Sequence, residues 1–137
     1  MKGYKTVLDV QTRFRDMDAM GHINNAVYLS YLELARFEYL KKTLGIVRDQ
    51  DVGVVVARVE IDYRSPAFHG EVLSLGVRVT RLGGASFDMD YRIEEKKTGR
   101  LVAEAKTVQV AYDFDQGKVR RLSPEFIREA RRHDGIA

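Results

Sequence analysis

Apolar positions follow a period of two over much of this chain, and one long segment breaks that rule. The first alternating stretch covers residues 6 to 14 and predicts a strand. Its two faces carry Leu8, Val10 and Phe14 on one side and Val7, Asp9, Gln11 and Arg13 on the other. From Asn25 to Leu44 the residues favour helix, and Gly45 is typical of a helix C-terminus. The pattern therefore predicts a strand followed by a long helix.

The predicted helix is apolar nearly all round. Only a thin polar stripe through Ser30, Glu33 and Arg36 interrupts its apolar surface. A helix of this kind must be covered on most of its sides. One sheet cannot surround it, so we expect a second copy of the chain to cover the remainder, most simply in a twofold dimer.

Four further strands are predicted after the helix. Their alternating segments lie at residues 55 to 63, 73 to 79, 87 to 93 and 101 to 114, with turns at Ser65-Pro66, Gly83-Gly84 and Lys97-Thr98-Gly99. Short turns of this kind join antiparallel neighbours. The sequence thus predicts an α+β fold in which one helix packs against an antiparallel sheet of about five strands.

The last strand has an irregular pattern. Its apolar residues change phase, from Leu101, Ala103 and Ala105 to Val108, Val110 and Tyr112. This change predicts either a bulge or a strand covered on both faces. Beyond it, Ser123-Pro124-Glu125 has the cap and first-turn residues of a short terminal helix.

Composition indicates one ordinary domain over residues 1 to 137. The chain has 137 residues and no cysteine, which excludes disulfides, thiolate metal sites and a cysteine nucleophile. The lack of cysteine is compatible with a cytoplasmic location, which we expect. No signal-peptide core opens the sequence, and no apolar run is long enough to span a bilayer, so no membrane partner is expected.

Charge is nearly balanced, with 23 basic and 20 acidic residues and a net charge of +3. This balance does not demand a nucleic-acid partner. Six basic residues and two acids nevertheless fall between Lys118 and Arg132. A solvated helix explains them most simply, and a patch that attracts phosphate is the alternative.

The chemically active residues cluster just before the predicted helix. Asp16 and Asp18 flank Met17, and His22 and the pair Asn24-Asn25 follow within a few residues. Two neighbouring carboxylates, if buried, are expected to have one raised pKa. The free N–H groups of a helix start could stabilise negative charge on a carbonyl oxygen, and a carboxylate or imidazole could move a proton. Turn and capping roles would explain the same residues equally simply.

Gly21 in the same segment permits close approach of the backbone to a ligand. A metal site built from Asp16, Asp18 and His22 is conceivable, but the chain has no second ligand cluster. We therefore expect neither a metal nor another cofactor.

The run from Asp16 to Tyr28, with Tyr31, Glu33, Ala35 and Arg36 beyond it, resembles the signature of the 4-hydroxybenzoyl-CoA thioesterase family of hotdog-fold proteins. It is also similar to that of the acyl-ACP thioesterases. Weaker similarities follow at residues 62 to 66, 69 to 71 and 83 to 87. The resemblance implies a hotdog fold, in which a curved antiparallel sheet wraps a long central helix. It also implies a homodimer joined edge to edge, often paired again as a homotetramer.

The same resemblance implies hydrolysis of an acyl-CoA or acyl-ACP thioester to a free acid and the thiol. Asp18 falls on the catalytic carboxylate of the family, acting as nucleophile or as general base for water. Backbone N–H groups around Asn24 and Asn25 would polarise the thioester carbonyl. The acyl chain would lie beside the helix, near Tyr28 and Leu32. Candidates for binding the CoA phosphates are Arg58, Arg64, Arg81 and the cluster from Lys118 to Arg121.

His22 is an auxiliary catalytic candidate. The residues after Gly21 are more polar than in the aryl-CoA branch of the family and are closer to the acyl-ACP branch, where the matching histidine is catalytic. That branch has an asparagine two positions before the histidine, whereas this chain has Met20, which cannot make the same hydrogen bonds. Two other functions remain open: hydration or dehydration of an acyl thioester, and acyl binding without catalysis.

Overall fold

The fold is an antiparallel sheet with one long helix against it, in a computed structural model that describes residues 1–46 and 53–136. The strands are β1 (Thr6–Gln11), β2 (Val54–Tyr63), β3 (Val72–Leu82), β4 (Ser86–Glu95), β5 (Leu101–Asp113) and the short β6 (Lys118–Val119). The helices are α1 (Val27–Leu44) and α2 (Pro124–Asp134), and Phe14–Asp16 forms a single 3-10 turn. The strand order is β1-β3-β4-β5-β2, and β6 pairs with β5.

The core lies between α1 and the inner face of the sheet. Buried side chains alternate along β3 and β4, and the helix contributes a matching set; together they include Leu73, Leu75, Val77, Val79, Phe87, Met89, Tyr91, Ile93, Tyr28, Leu32, Ala35, Tyr39 and Leu40. The period of two in the sequence places these strand residues on one face. This arrangement is the hotdog fold, which confirms the expectation from the sequence.

The long helix begins and ends close to the predicted positions. It starts at Val27 rather than Asn25. It ends at Leu44 as predicted, just before Gly45, whose φ of 67° is left-handed and whose N–H donates to the carbonyl of Lys41. Leu29 and Leu34 on this helix remain 45% and 49% exposed. One sheet therefore does leave part of the apolar helix uncovered.

The first strand is shorter than the sequence predicted. It ends at Gln11, and Phe14 begins the 3-10 turn with 75% of its surface exposed, so its predicted place on a strand face is wrong. The hydroxyl of Thr12 donates to the carbonyls of Phe68 and Glu71, at 3.0 and 2.7 Å. These bonds tie the end of β1 to the loop between β2 and β3, where the chain leaves the sheet.

The change of apolar phase along β5 does not alter which face of the strand is buried. Alternate residues from Ala103 to Ala111 face the core throughout, so Thr107 and Gln109 are buried polar residues rather than outward ones. The Thr107 hydroxyl and the Tyr91 hydroxyl are 2.7 Å apart, and this hydrogen bond offsets the cost of burying Thr107. The predicted bulge is present, but it lies at Val102, where the register with β4 shifts.

The terminal helix follows its sequence signals. The Ser123 side chain accepts a hydrogen bond from the N–H of Phe126, and Pro124 stands at the first helical position. The short strand β6 was not predicted from the sequence. No helix in the described ranges, 1–46 and 53–136, is long and apolar enough to cross a membrane.

Candidate active site

Asp18 lies in a tight hairpin between β1 and α1. Met17 pairs with Ile23 across this hairpin, and the N–H of Asp18 donates to the carbonyl of His22 at 2.7 Å. The carboxylate oxygen Oδ1 of Asp18 accepts the N–H groups of Met20 and His22, at 2.9 and 3.2 Å. No described residue donates to its second oxygen, Oδ2, and the side chain is half-buried. One carboxylate oxygen thus fixes the turn, and the other is available.

Both carboxylate oxygens of Asp16, two residues earlier, accept hydrogen bonds. Its side chain is buried, and it accepts hydrogen bonds from the backbone and guanidinium of Arg13 and from the hydroxyl of Tyr31, at 2.8 Å. Burial raises the pKa of Asp16, but these bonds together outweigh burial and hold the pKa below its usual value. Asp16 is therefore held as a carboxylate despite its burial.

The backbone just before α1 presents a free donor at Asn25. The N–H of Asn24 donates to the carbonyl of Asp16, and that of Ala26 donates to the Asn24 side chain, at 2.8 and 2.9 Å. The carbonyl of Asn25 accepts the hydroxyl of Tyr63 at 2.9 Å. The N–H of Asn25 itself has no acceptor in the described part of the chain. Hydrogen bonds thus fix the peptides on either side of this N–H, and the N–H itself is available to a ligand just before the helix.

The remaining predicted site residues surround this segment. Gly21 has a φ of 82°, so the hairpin requires the conformational freedom of glycine there. The ring of His22 is half-buried and meets the edge of Phe68, with ring centroids 5.3 Å apart. Tyr28 lies in the core between Tyr31 and Tyr63, and burial raises its pKa to about 12.

The loop between β2 and β3 supports the hairpin. The carbonyl of Ala67 in this loop accepts the N–H of Ile23 at 2.9 Å. The guanidinium of Arg100 holds the loop through the carboxylate of Glu71, at 2.9 Å, and through the carbonyl of Pro66. Arg100 and Glu71 are far apart in sequence, so nothing in the local pattern could have paired them.

A groove of about 800 Å³ runs along the uncovered side of α1, between residues of β1 and β2. Arg13 and Tyr31, the two partners of Asp16, line it, and Phe37 and Val56 also belong to its walls. The groove therefore adjoins the hairpin that carries Asp18. Leu32 and Tyr28, expected beside the acyl chain, are buried in the core instead of lining this groove.

Most of the basic residues predicted as candidates for phosphate binding make contacts within the described part of the chain. Arg58, Arg64 and Arg81 form ion pairs with Glu60, Glu104 and Asp88. Arg120 donates to the carbonyl of Gly53, and the guanidinium of Arg121 lies against Gly84. Both contacts are at the end of the sheet where α1 terminates, away from Asp18.

The chain matches the model of the thioesterase-like superfamily over residues 12–130. It is 30% identical over 130 residues to the acyl-CoA thioesterase YbgC of Haemophilus influenzae, covering 90% of this chain and 92% of that protein. It is 29% identical over 118 residues to the long-chain acyl-CoA thioesterase FadM of Escherichia coli K12, covering 85% and 89% of the two chains.

The fold is similar to that of a solved thioesterase. The structure of a thioesterase from Thermus thermophilus, complexed with coenzyme A and Zn, superposes with a TM-score of 0.87 at 34% sequence identity. The match covers 98% of each chain. It therefore extends over the hairpin, the loop that supports it and both edges of the groove.

Proposed function

Because the chain belongs to the thioesterase-like superfamily, we propose that it hydrolyses acyl-CoA thioesters to a free carboxylic acid and coenzyme A. One observation carries the proposal most directly. A carboxylate oxygen of Asp18 and the backbone N–H of Asn25 are both unpaired among the described residues, and they lie on one short hairpin beside the groove. Relatives named acyl-CoA thioesterases support coenzyme A as the carrier.

In the proposed reaction, the thioester carbonyl oxygen accepts the N–H of Asn25. The start of α1 adds the positive end of its dipole to this position, which favours the negative charge that develops on the oxygen. Asp18 acts through Oδ2, either by taking a proton from the attacking water or by attacking the carbonyl carbon itself. The carbon–sulfur bond then breaks, and the departing thiolate takes up a proton. If Asp18 is the nucleophile, water then hydrolyses the acyl–Asp18 anhydride, which releases the carboxylic acid and restores the carboxylate.

Other residues hold these two groups in place. Asp16 and the side chain of Asn24 fix the peptides next to Asn25, and the hydroxyl of Tyr63 anchors the Asn25 carbonyl. His22 contributes its backbone to the Asp18 turn, and its ring makes no hydrogen bond within the described ranges. We therefore assign His22 a supporting role and expect its imidazole to matter less than Asp18.

The test is release of free thiol from acyl-CoAs by the Asp18→Asn variant. Asparagine keeps the oxygen that closes the turn but can neither accept the water proton nor attack the carbonyl. We expect turnover to fall about 10²- to 10⁴-fold with the melting temperature unchanged. Asp115→Asn, an exposed aspartate in the β5–β6 turn, is the matched control. Full activity of Asp18→Asn, or hydration of an enoyl-CoA without thiol release, would contradict the proposal.

We further propose that the protein is a cytoplasmic homodimer joined through β2, or a tetramer of such dimers. β2 is an edge strand of ten residues, and Val56, Val59 and Tyr63 on it are about 40% exposed. An edge of this length and composition favours pairing with another strand. Light scattering is expected to give at least twice the mass of one chain, and a monomer would contradict this proposal. A cytoplasmic location follows from the proposed substrate, since acyl-CoAs are intracellular metabolites.

A further inference from the structure

Arg36 stands out among the arginines because it is half-buried and yet has no acidic partner within the described ranges. It lies in the middle of α1, and its Nη1 donates to the hydroxyl of Tyr91 at 3.1 Å. A guanidinium has five N–H donors in a fixed planar arrangement. The other four donors of Arg36 meet no acceptor among residues 1–46 and 53–136. By contrast, Arg13 and Arg100 both pair with carboxylates.

The position of this guanidinium is as informative as its lack of a partner. Arg36 is half-buried and lines the groove beside Leu34, Phe37, Val54 and Val56. An apolar chain bound in the groove would shield the free donors of Arg36 from water, which costs free energy unless an acceptor satisfies them. The bond to Tyr91 holds the guanidinium on the core side of the groove, because Tyr91 is only 1% exposed.

Glu33 lines the same groove three residues earlier, but it does not neutralise Arg36. Its side chain is exposed, and no ion pair joins these two described residues. Arg13, at the end of the groove near the hairpin, is already paired with Asp16. Arg36 is therefore the cation of the groove whose charge is not matched by a carboxylate of the described residues.

We propose that Arg36 binds an oxygen acceptor at the distal end of the acyl group, and that a terminal carboxylate is the best match. The planar fork of a guanidinium pairs with a carboxylate through two parallel hydrogen bonds. This inference rests on the proposed thioesterase function, with the thioester carbonyl at Asn25 and the acyl chain in the groove. It extends that function by naming a substrate class, long acyl thioesters that carry a terminal carboxylate.

The helix sets the length of the substrate. Arg36 lies nine residues after Val27, the first residue of α1, which corresponds to about 14 Å along the helix axis at about 1.5 Å per residue. A short dicarboxylic acyl group cannot span this distance, whereas a medium or long chain can. Selectivity for a terminal carboxylate should therefore appear only when the chain is long.

The experiment compares hydrolysis of dodecanedioyl-CoA, 12-hydroxydodecanoyl-CoA and dodecanoyl-CoA. We expect KM to be lowest for the carboxylate, intermediate for the hydroxyl and highest for the methyl terminus, with about a 10- to 100-fold span. Succinyl-CoA and butyryl-CoA, which are too short to reach Arg36, should show no such difference. Equal KM values for the three long substrates would overturn this inference while leaving the thioesterase function intact.

The Arg36→Met variant assigns the selectivity to this residue. It should abolish the preference for the carboxylate and still hydrolyse dodecanoyl-CoA, whereas Asp18→Asn should lose turnover on every substrate. Arg36→Lys, which keeps the charge without the planar fork, should retain part of the preference and covers the case in which Arg36→Met fails to fold. Arg131→Met, on the exposed side of α2, is the matched control.

Two further results would overturn the inference. One is a carboxylate preference that survives in Arg36→Met. The other is a smaller oligomer in light scattering of both Arg36 variants, which would mean that a second copy of the chain, and not the substrate, satisfies the guanidinium.

Discussion

Two tyrosines on α1 bind aspartates from different parts of the chain. Tyr31 donates to Asp16 at 2.8 Å, and Tyr39, two turns later, donates to Asp134 at 2.7 Å. Asp16 lies 15 residues from its tyrosine and also binds Arg13, whereas Asp134 lies 95 residues from its tyrosine and also accepts the N–H of Val79. The hydroxyl–carboxylate contact is the same, but the surroundings differ.

The difference shows how one kind of contact can serve two purposes. The carbonyl of Asp16 also accepts the N–H of Asn24, so this pair holds the segment that carries Asp18 and Asn25. The pair at Asp134 fixes α2 against α1 and β3 and touches no proposed site residue. We therefore expect disruption of the Tyr31–Asp16 pair to lower both stability and turnover. Disruption of the Tyr39–Asp134 pair should lower stability alone.

The largest effect is expected from Asp16→Asn. The amide nitrogen of asparagine would face the Arg13 guanidinium, and the charge that holds Arg13 would be lost. Loss of these charge-assisted bonds should lower the free energy of unfolding by about 2–3 kcal/mol. Misplacement of the hairpin should lower turnover by up to about 10²-fold.

Urea unfolding and thiol release measure the two quantities for Asp16→Asn, and Asp134→Asn is the control. Both bonds to Asp134 use a single oxygen, Oδ2, which an amide oxygen can replace. Stability should therefore fall by less than about 1 kcal/mol in the control, with turnover unchanged. A comparable loss of turnover in both variants would break the distinction between the two pairs.

The tyrosine hydroxyls provide a milder version of the same comparison. Tyr31→Phe and Tyr39→Phe each remove one hydroxyl donor to a carboxylate, and each should cost about 1–2 kcal/mol of stability. Only Tyr31→Phe should also lower turnover, by up to about tenfold, because only that hydroxyl holds the site hairpin. Equal turnover in the two variants at equal loss of stability would show that the hairpin is held without Tyr31.

The smallest expected effect is on the loss of folding stability in acid. The pKa of Asp16 is lowered in the folded protein, so its ionised form stabilises the fold above the ordinary aspartate pKa of about 3.9. This contribution is lost as the pH falls from about 4 through the lower, folded-state pKa. Unfolding curves between pH 5 and pH 2 should show a shallower acid loss for Asp16→Asn than for the wild type. Parallel curves would indicate that Asp16 is not the group responsible.

Local sequence patterns predicted most of the fold. The apolar period identified the strands β2 to β4, and the Gly45 and Ser123-Pro124 signals placed the C-terminal end of α1 and the start of α2. The pattern did not show which face of β5 is buried beyond Ala105, because long-range contacts decide that. Thr107 is buried because Tyr91 on the neighbouring strand supplies a hydrogen bond, and periodicity along one strand cannot reveal such a partner.

The candidate site divides in the same way. Proximity in sequence alone brought Asp16, Asp18, Gly21 and Asn25 together on one segment, and the resemblance ranked Asp18 first among them. Which carboxylate is occupied was not readable, because Arg13, Tyr31 and the hairpin bonds act only once the segment is folded. The hydrogen bonds from Tyr63 and Arg100 that support the site come from residues distant in sequence, so no local motif predicts them.

By itself, the sequence determined an α+β fold with one helix that is apolar nearly all round, and an aspartate-containing segment just before that helix. It could do so because periodicity, caps and glycine positions act over a few residues. Only the tertiary structure decided that Asp16 is locked while Asp18 keeps a free oxygen, that Asn25 offers the open N–H, and that Arg36 faces the groove. Those outcomes depend on hydrogen bonds between residues brought together by packing. Burial sets the free energy that each bond contributes and that each unpaired group costs.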